Sequence, residues 1–138
     1  MLERGMVVPS KSPWASPPLL VPKEGGQARL CVDYRKVNSL TIKDSYPLPR
    51  IDDIIDAVGD AKYVSKIDLM KGYYQVELTK KARPISAFIT PFGLYEYVVI
   101  PFGMCNAPCT FQRLMNYTIQ GLKGVYVYID DIIITSEM

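Results

Sequence analysis

Two adjacent aspartates, Asp130 and Asp131, are the most chemically suggestive residues of the sequence. They stand inside segment 125–134, where eight apolar or aromatic residues flank them and no other charge occurs. Apolar runs of this kind form buried strands, and a buried unpaired carboxylate is very costly. The Asp-Asp pair is therefore expected in a turn between two strands. A tight turn would carry both carboxylates at the rim of a sheet. Like charges so close repel unless a proton or a cation neutralises them, and a hard divalent ion held by oxygens is the natural cation. An ordinary hairpin turn, using aspartate for its turn propensity, is the alternative. Asp68 ends a second strand-like segment, 63–69, and is the only acid in it. Beside the 125–134 hairpin it would bring a third carboxylate to the same place; a strand-end aspartate bonded to nearby backbone is the other reading. Three converging carboxylates suit phosphoryl transfer, in which two Mg²⁺ ions ~3.5–4 Å apart lower the barrier to hydroxyl attack and stabilise the leaving group.

Composition narrows the chemistry further. The chain has no histidine, which removes Ser-His-Asp and Cys-His nucleophile systems, His-ligated zinc and His acid–base catalysis. Its three cysteines, Cys31, Cys105 and Cys109, cannot build a four-thiolate zinc site and do not read as a disulfide framework. A reducing, intracellular setting is the simpler expectation, with no targeting signal. No apolar run approaches the ~20 residues of a membrane span, so no membrane partner is expected. The net charge of +2 is unevenly spread. Positions 1–50 hold eight Lys/Arg against four Asp/Glu, and positions 51–138 hold eight against ten. A basic first third beside an acidic remainder suits a polyanion held near a carboxylate cluster; chance variation in surface charge is the plainer account.

The elements that must position these residues are legible in outline. At 138 residues, with 49% hydrophobic and 22% charged side chains, the chain is about one ordinary globular domain. Five prolines in positions 1–22 predict extended or turned backbone after at most a short opening helix. Segments 19–21 and 28–32 read as strands of a hairpin. Ile51, Ile54, Ile55 and Val58 recur at helical spacing, with Pro49 before them and Gly59 at the stop, so 49–58 reads as a helix. Strands are expected over 63–69, 73–78, 85–90, 94–100 and 125–134, with a type I turn at Thr90-Pro91-Phe92-Gly93. A second helix follows Asn106 as its cap, with Pro108 in the first turn, an apolar stripe through Phe111, Leu114, Met115, Ile119 and Leu122, and Gly121 at the stop. Strands and helices mix without strict alternation, so the fold class is α+β.

Three segments carry a family resemblance: 65–73 (Ser-Lys-Ile-Asp-Leu-Met-Lys-Gly-Tyr), 100–112 (Ile-Pro-Phe-Gly-Met-Cys-Asn-Ala-Pro-Cys-Thr-Phe-Gln) and 128–131 (Tyr-Ile-Asp-Asp). They resemble the central motifs of reverse transcriptases, RNA-directed DNA polymerases, of the gypsy-like class of long-terminal-repeat retrotransposons. Segments 29–38 and 46–53 resemble the stretches upstream of them, and the likeness runs in order over nearly the whole chain. Ala28 stands where that family usually has tryptophan, Met70-Lys71 where Arg-Ser is common, and Ile85 where a polar residue is frequent.

The resemblance implies polymerase fingers over residues 1–45 and palm over 46–138, with a small antiparallel palm sheet backed by helices and no thumb. It implies that Asp68, Asp130 and Asp131 are catalytic and hold two Mg²⁺ ions, with Mn²⁺ as a substitute. It implies that Tyr73 packs under the incoming sugar, that Phe102 and Gly103 line the nucleotide pocket, and that Arg29 and Lys23 hold the triphosphate. Arg35, Asn38, Tyr128 and Met104 would face template and primer. The implied partners are an RNA or DNA template-primer, deoxynucleoside triphosphates, and the thumb, ribonuclease H and integrase of a Gag-Pol-like polyprotein. A non-catalytic remnant and an interaction module of a larger polymerase remain the alternative functions.

Overall fold

The computed structural model describes residues 2–137. Among the described residues, eight strands and three α-helices follow one another as β1 (Val7–Pro9), β2 (Pro18–Pro22), β3 (Ala28–Val32), α1 (Arg35–Leu40), α2 (Ile51–Val58), β4 (Tyr63–Asp68), β5 (Phe88–Thr90), β6 (Gly93–Tyr97), α3 (Ala107–Thr118), β7 (Val125–Tyr128) and β8 (Asp131–Ser136). Two 3₁₀ turns, Gly72–Gln75 and Arg83–Ser86, lie between β4 and β5. All three sheets are antiparallel: β1-β6-β5, the β2-β3 hairpin, and β4-β8-β7. The class is α+β, as the pattern of the sequence implied.

By contact the chain divides into two compact units, Met1–Lys43 with Tyr73–Ala107, and Asp44–Gly72 with Pro108–Met138. A single cut near residue 45 is therefore not how the contacts fall. The reason is strand pairing. β1 joins β6 across about ninety positions of chain, and Ser16 bridges Phe88, which ties 73–107 to the amino-terminal segment.

The first unit is built on Val7, Val32, Tyr34, Val37, Phe88 and Tyr97, with Trp14, Leu30, Tyr74 and Met104 packed against them. Burying a large apolar side chain contributes ~1.5–3 kcal/mol, and this cluster is what holds three strands too short to stand alone. Tyr34 is buried with its hydroxyl donating to Ser86 O at 2.7 Å, and the Ser86 hydroxyl accepts from Tyr97 N at 2.9 Å. Burial pushes the phenols of Tyr34 and Tyr97 upward, so both stay neutral hydrogen-bonding groups.

The second unit rests on Ile54, Phe111, Met115 and Val127. In α2 the acids Asp52 and Asp53 sit in the first turn, where the helix dipole favours them, and the Gly59 N–H closes the helix on Ile55 O at 3.0 Å. Of the apolar stripe, Ile54 is buried while Ile51 and Ile55 are exposed.

Several expectations differ from the structure: the strand expected over 94–100 is Gly93–Tyr97, and the helix after Asn106 ends at Thr118, before Ile119, Gly121 and Leu122. Segment 73–78 is the 3₁₀ turn Gly72–Gln75 followed by one bridge, Glu77 to Val99, rather than a strand. Within 85–90 only Phe88–Thr90 is strand, because Pro84 starts the 3₁₀ turn Arg83–Ser86. The turn of the last hairpin is Ile129-Asp130, and Asp131 is already the first residue of β8, paired with Tyr128.

Candidate metal centre and nucleotide-binding surface

β4 and β8 pair residue for residue from Tyr63↔Ser136 to Asp68↔Asp131. This register sets Asp68 directly across from Asp131, and their carboxyl groups share a hydrogen bond. The bond holds Asp68 below the ordinary carboxylate range, with Lys66 helping, and it pushes Asp131 up, with burial helping. The Lys66 ammonium stands 3.5 Å from Asp68 Oδ1 and 3.8 Å from Asp131 Oδ1. Lys66 was not singled out in the sequence; its position two residues before Asp68, on the same strand face, was the available signal.

Asp130 occupies the adjoining turn, exposed, and its charge adds to the upward push on Asp131. Among the described residues, no three His, Cys, Asp or Glu side chains form an assembled metal cluster. Asp68 and Asp131 are brought together; Asp130 is their neighbour on the turn. Hard oxygen donors that already face an ammonium, open to water, fit a Mg²⁺-type ion in its place.

The turn itself is strained. Ile129 has φ +54°, a left-handed conformation that a β-branched side chain rarely adopts and that costs ~1–3 kcal/mol. Two bonds hold it. The Ile129 N–H donates to Gln112 Oε1 at 2.6 Å, and Leu69 N–H donates to Asp130 O at 2.9 Å. Gln112 lies on α3 and is fully buried. Its Nε2 donates to Val127 O and to Asn116 Oδ1, both at 3.0 Å, and Asn116 Nδ2 in turn donates to the Tyr46 hydroxyl at 2.6 Å. A polar residue beside the apolar stripe of α3 was the sequence signal for Gln112. On the other side, a Cβ on Gly72 would come within 3.0 Å of Phe111 Cζ and 3.2 Å of Asp130 Cβ.

The first unit carries a separate cluster. The Arg29 guanidinium lies over the Phe102 ring at 4.4 Å, and Tyr73 packs on the same ring at 5.2 Å. Tyr74, which the sequence reading passed over, meets Phe102 edge-on at 5.4 Å and stacks on Tyr97. The loop bearing Phe102 is braced from α1, where Asn38 Nδ2 donates to Gly103 O at 2.8 Å and Asn38 Oδ1 accepts from Cys105 N at 2.9 Å. Gly103 takes φ +99°, open to glycine, with Tyr34 and Val32 O about its missing Cβ. Met104 packs on the core of the unit. Arg35 is engaged in a two-pronged pair with Asp33, at 2.8 Å for the shortest arm, which holds Asp33 below the ordinary range. Lys23 stands exposed at the β2-β3 turn, its N–H closing on Gln27 O at 2.7 Å. Tyr128, in the second unit, is half-buried opposite Asp131.

With this geometry in hand, similarity to known proteins is specific. Residues 21–138 match the family of reverse transcriptases, RNA-dependent DNA polymerases. The chain is 44% identical over 143 aligned residues to the retrovirus-related Pol polyprotein from transposon 297 of Drosophila melanogaster, covering 99% of this chain. It is 40% identical to the corresponding polyprotein from transposon gypsy of the same fly, again over 99% of this chain. It spans 14% of the length of each. The foamy viral protease-reverse transcriptase in complex with RNA/DNA hybrid superposes with a TM-score of 0.91 at 28% identity, over 99% of this chain and 18% of that one.

Proposed function

This chain belongs to the reverse transcriptase family, and from that premise we propose that it contributes the catalytic carboxylates of template-directed DNA synthesis. The reaction is addition of deoxynucleotides to a primer 3′ end, on an RNA or DNA template. The observation that carries the reading is the Asp68–Asp131 pair facing across β4 and β8 with Asp130 on the adjoining turn.

Asp68, Asp130 and Asp131 would hold two Mg²⁺ ions, or Mn²⁺ in their place. When bound, the ions supply charge for the attacking and leaving oxygens of the transferred phosphoryl group. The chain's own side chains do the remainder. Lys66 turns from the carboxylates toward solvent. Arg29, anchored on Phe102, presents a guanidinium fork that matches a triphosphate, and Lys23 adds a second positive charge from the hairpin turn. Tyr73, fixed against Phe102, packs under the sugar, while Gly103 lets backbone approach the nucleotide. Arg35, Asn38, Tyr128 and Met104 serve the template-primer side. Contacts to the hybrid are chiefly with phosphate and sugar, so binding is insensitive to sequence and weakens with salt. The unit of Asp44–Gly72 and Pro108–Met138 corresponds to palm and the other to fingers. In this reading the protein works within a longer polyprotein that supplies thumb, ribonuclease H and integrase.

Primer extension with Mg²⁺ or Mn²⁺ tests the assignment. Wild type extends the primer, and Asp130→Asn reduces extension by about three orders of magnitude or more, the scale of losing a group that stabilises transition-state charge. Absence of extension by wild type returns the chain to a non-catalytic remnant.

A further inference from the structure

Gln112 takes part in none of the chemistry above, yet it is the fully buried polar side chain whose hydrogen bonds end on the turn carrying Asp130. We propose that Gln112 is a positioning residue: a latch on α3 that holds Ile129 in its left-handed conformation and so fixes where Asp130 stands beside Asp68 and Asp131. The inference rests on the polymerase reading for its purpose, and on the geometry of the turn for its substance.

Every partner of the amide agrees on its orientation. Oε1 accepts from Ile129 N–H, while the two Nε2 protons go to Val127 O and Asn116 Oδ1. A flipped amide would set a donor against the Ile129 N–H and an acceptor against Val127 O. Asn116, one helical turn further along α3, is itself fixed by the Tyr46 hydroxyl. The Ile129 N–H thus meets an acceptor that cannot rotate away. A β-branched residue at φ +54° relaxes unless its surroundings over-determine it. The Gln112 bond at one end of the turn and the Leu69 bond at the other are those surroundings. Without the first, Ile129 is free to return to an extended or right-handed conformation, and Asp130 moves with it. A merely structural glutamine would stabilise the unit as a whole; a latch acts on one peptide group and on the cation site beside it.

The test compares the full chain as wild type, Gln112→Leu and the double variant Gln112→Leu/Ile129→Gly. Mn²⁺ affinity is read by electron paramagnetic resonance, and backbone exchange by hydrogen–deuterium NMR. Gln112→Leu should weaken Mn²⁺ binding about tenfold and deprotect the Ile129 amide by a similar factor, the loss expected when a buried donor is left without its acceptor. The amides of Val127 and Ile132 should keep wild-type protection. Glycine adopts positive φ without strain, so the double variant should recover most of the Mn²⁺ affinity. Should Gln112→Leu lose its fold, Asn116→Ala at an exposed position carries the same test, with a loss of about threefold expected. Wild-type Mn²⁺ binding by Gln112→Leu, or by Asn116→Ala where that variant is used, overturns the latch alone; so does failure of the glycine to restore it. A wild-type chain that binds no Mn²⁺ overturns the polymerase reading on which the latch depends.

Discussion

Gly72 stands where a side chain of any size would crowd two neighbours. A methyl group there would press on the Phe111 ring and on Cβ of Asp130 at once. Phe111 is buried, so the exposed turn is the side expected to give. Gly72→Ala should lower primer extension about tenfold and cost ~1–2 kcal/mol of stability, the usual range for overpacking, as checked by extension rate and denaturant unfolding. Tyr73 permits a sharper test at the same scale. Held against Phe102, it would exclude a 2′-hydroxyl if it packs under the sugar as proposed. Tyr73→Val should then raise ribonucleotide incorporation about tenfold or more while deoxynucleotide use stays near wild type, as measured by competing the two substrates on one primer; a site shape that rejects one added group is worth that much. Unchanged discrimination would make Tyr73 a packing residue.

At the scale of elements, what the sequence disclosed and what it hid follow one physical division. Local patterns were legible. The 51–58 stripe, the Gly59 stop, the 18–32 hairpin and the helix after Asn106 all depend on neighbours in the chain, and all formed. Elements that exist by distant pairing were not. β1 is three residues among prolines, and only β6 makes it a strand. Segment 73–78 alternates like a strand, yet its aromatic residues fold into a 3₁₀ turn that delivers Tyr73 and Tyr74 to Phe102. The candidate site divides in the same way. Asp68, Asp130 and Asp131 stand out because carboxylates in apolar strands demand an explanation. Lys66 and Gln112 do not, since a surface lysine and a helical glutamine are ordinary until the β4-β8 register and the α3-turn contact give them partners.

At the scale of the whole molecule, each unit has its own core, and Asp44 links the stability of the second to pH. Asp44 accepts from the Tyr46 amide and from Arg113, and these bonds hold it below the ordinary carboxylate range. A group depressed in the folded state adds stability above its unfolded value and loses it as pH falls through the folded value. Asp44→Asn should therefore melt earlier than wild type near neutrality, and the two melting temperatures should converge as pH falls through the depressed folded value, below which both lack the charge. Parallel curves at every pH would show that Asp44 is not titrating in this way.

Trp14, which packs against the core of the first unit, is the sole tryptophan of the chain. Its indole is therefore a built-in optical reporter of one half of the protein. Emission excited at the red edge of the aromatic band follows the melting of that half, whereas backbone circular dichroism follows both. The separation between the two signals, with no dye or label attached, measures how far the halves unfold as one.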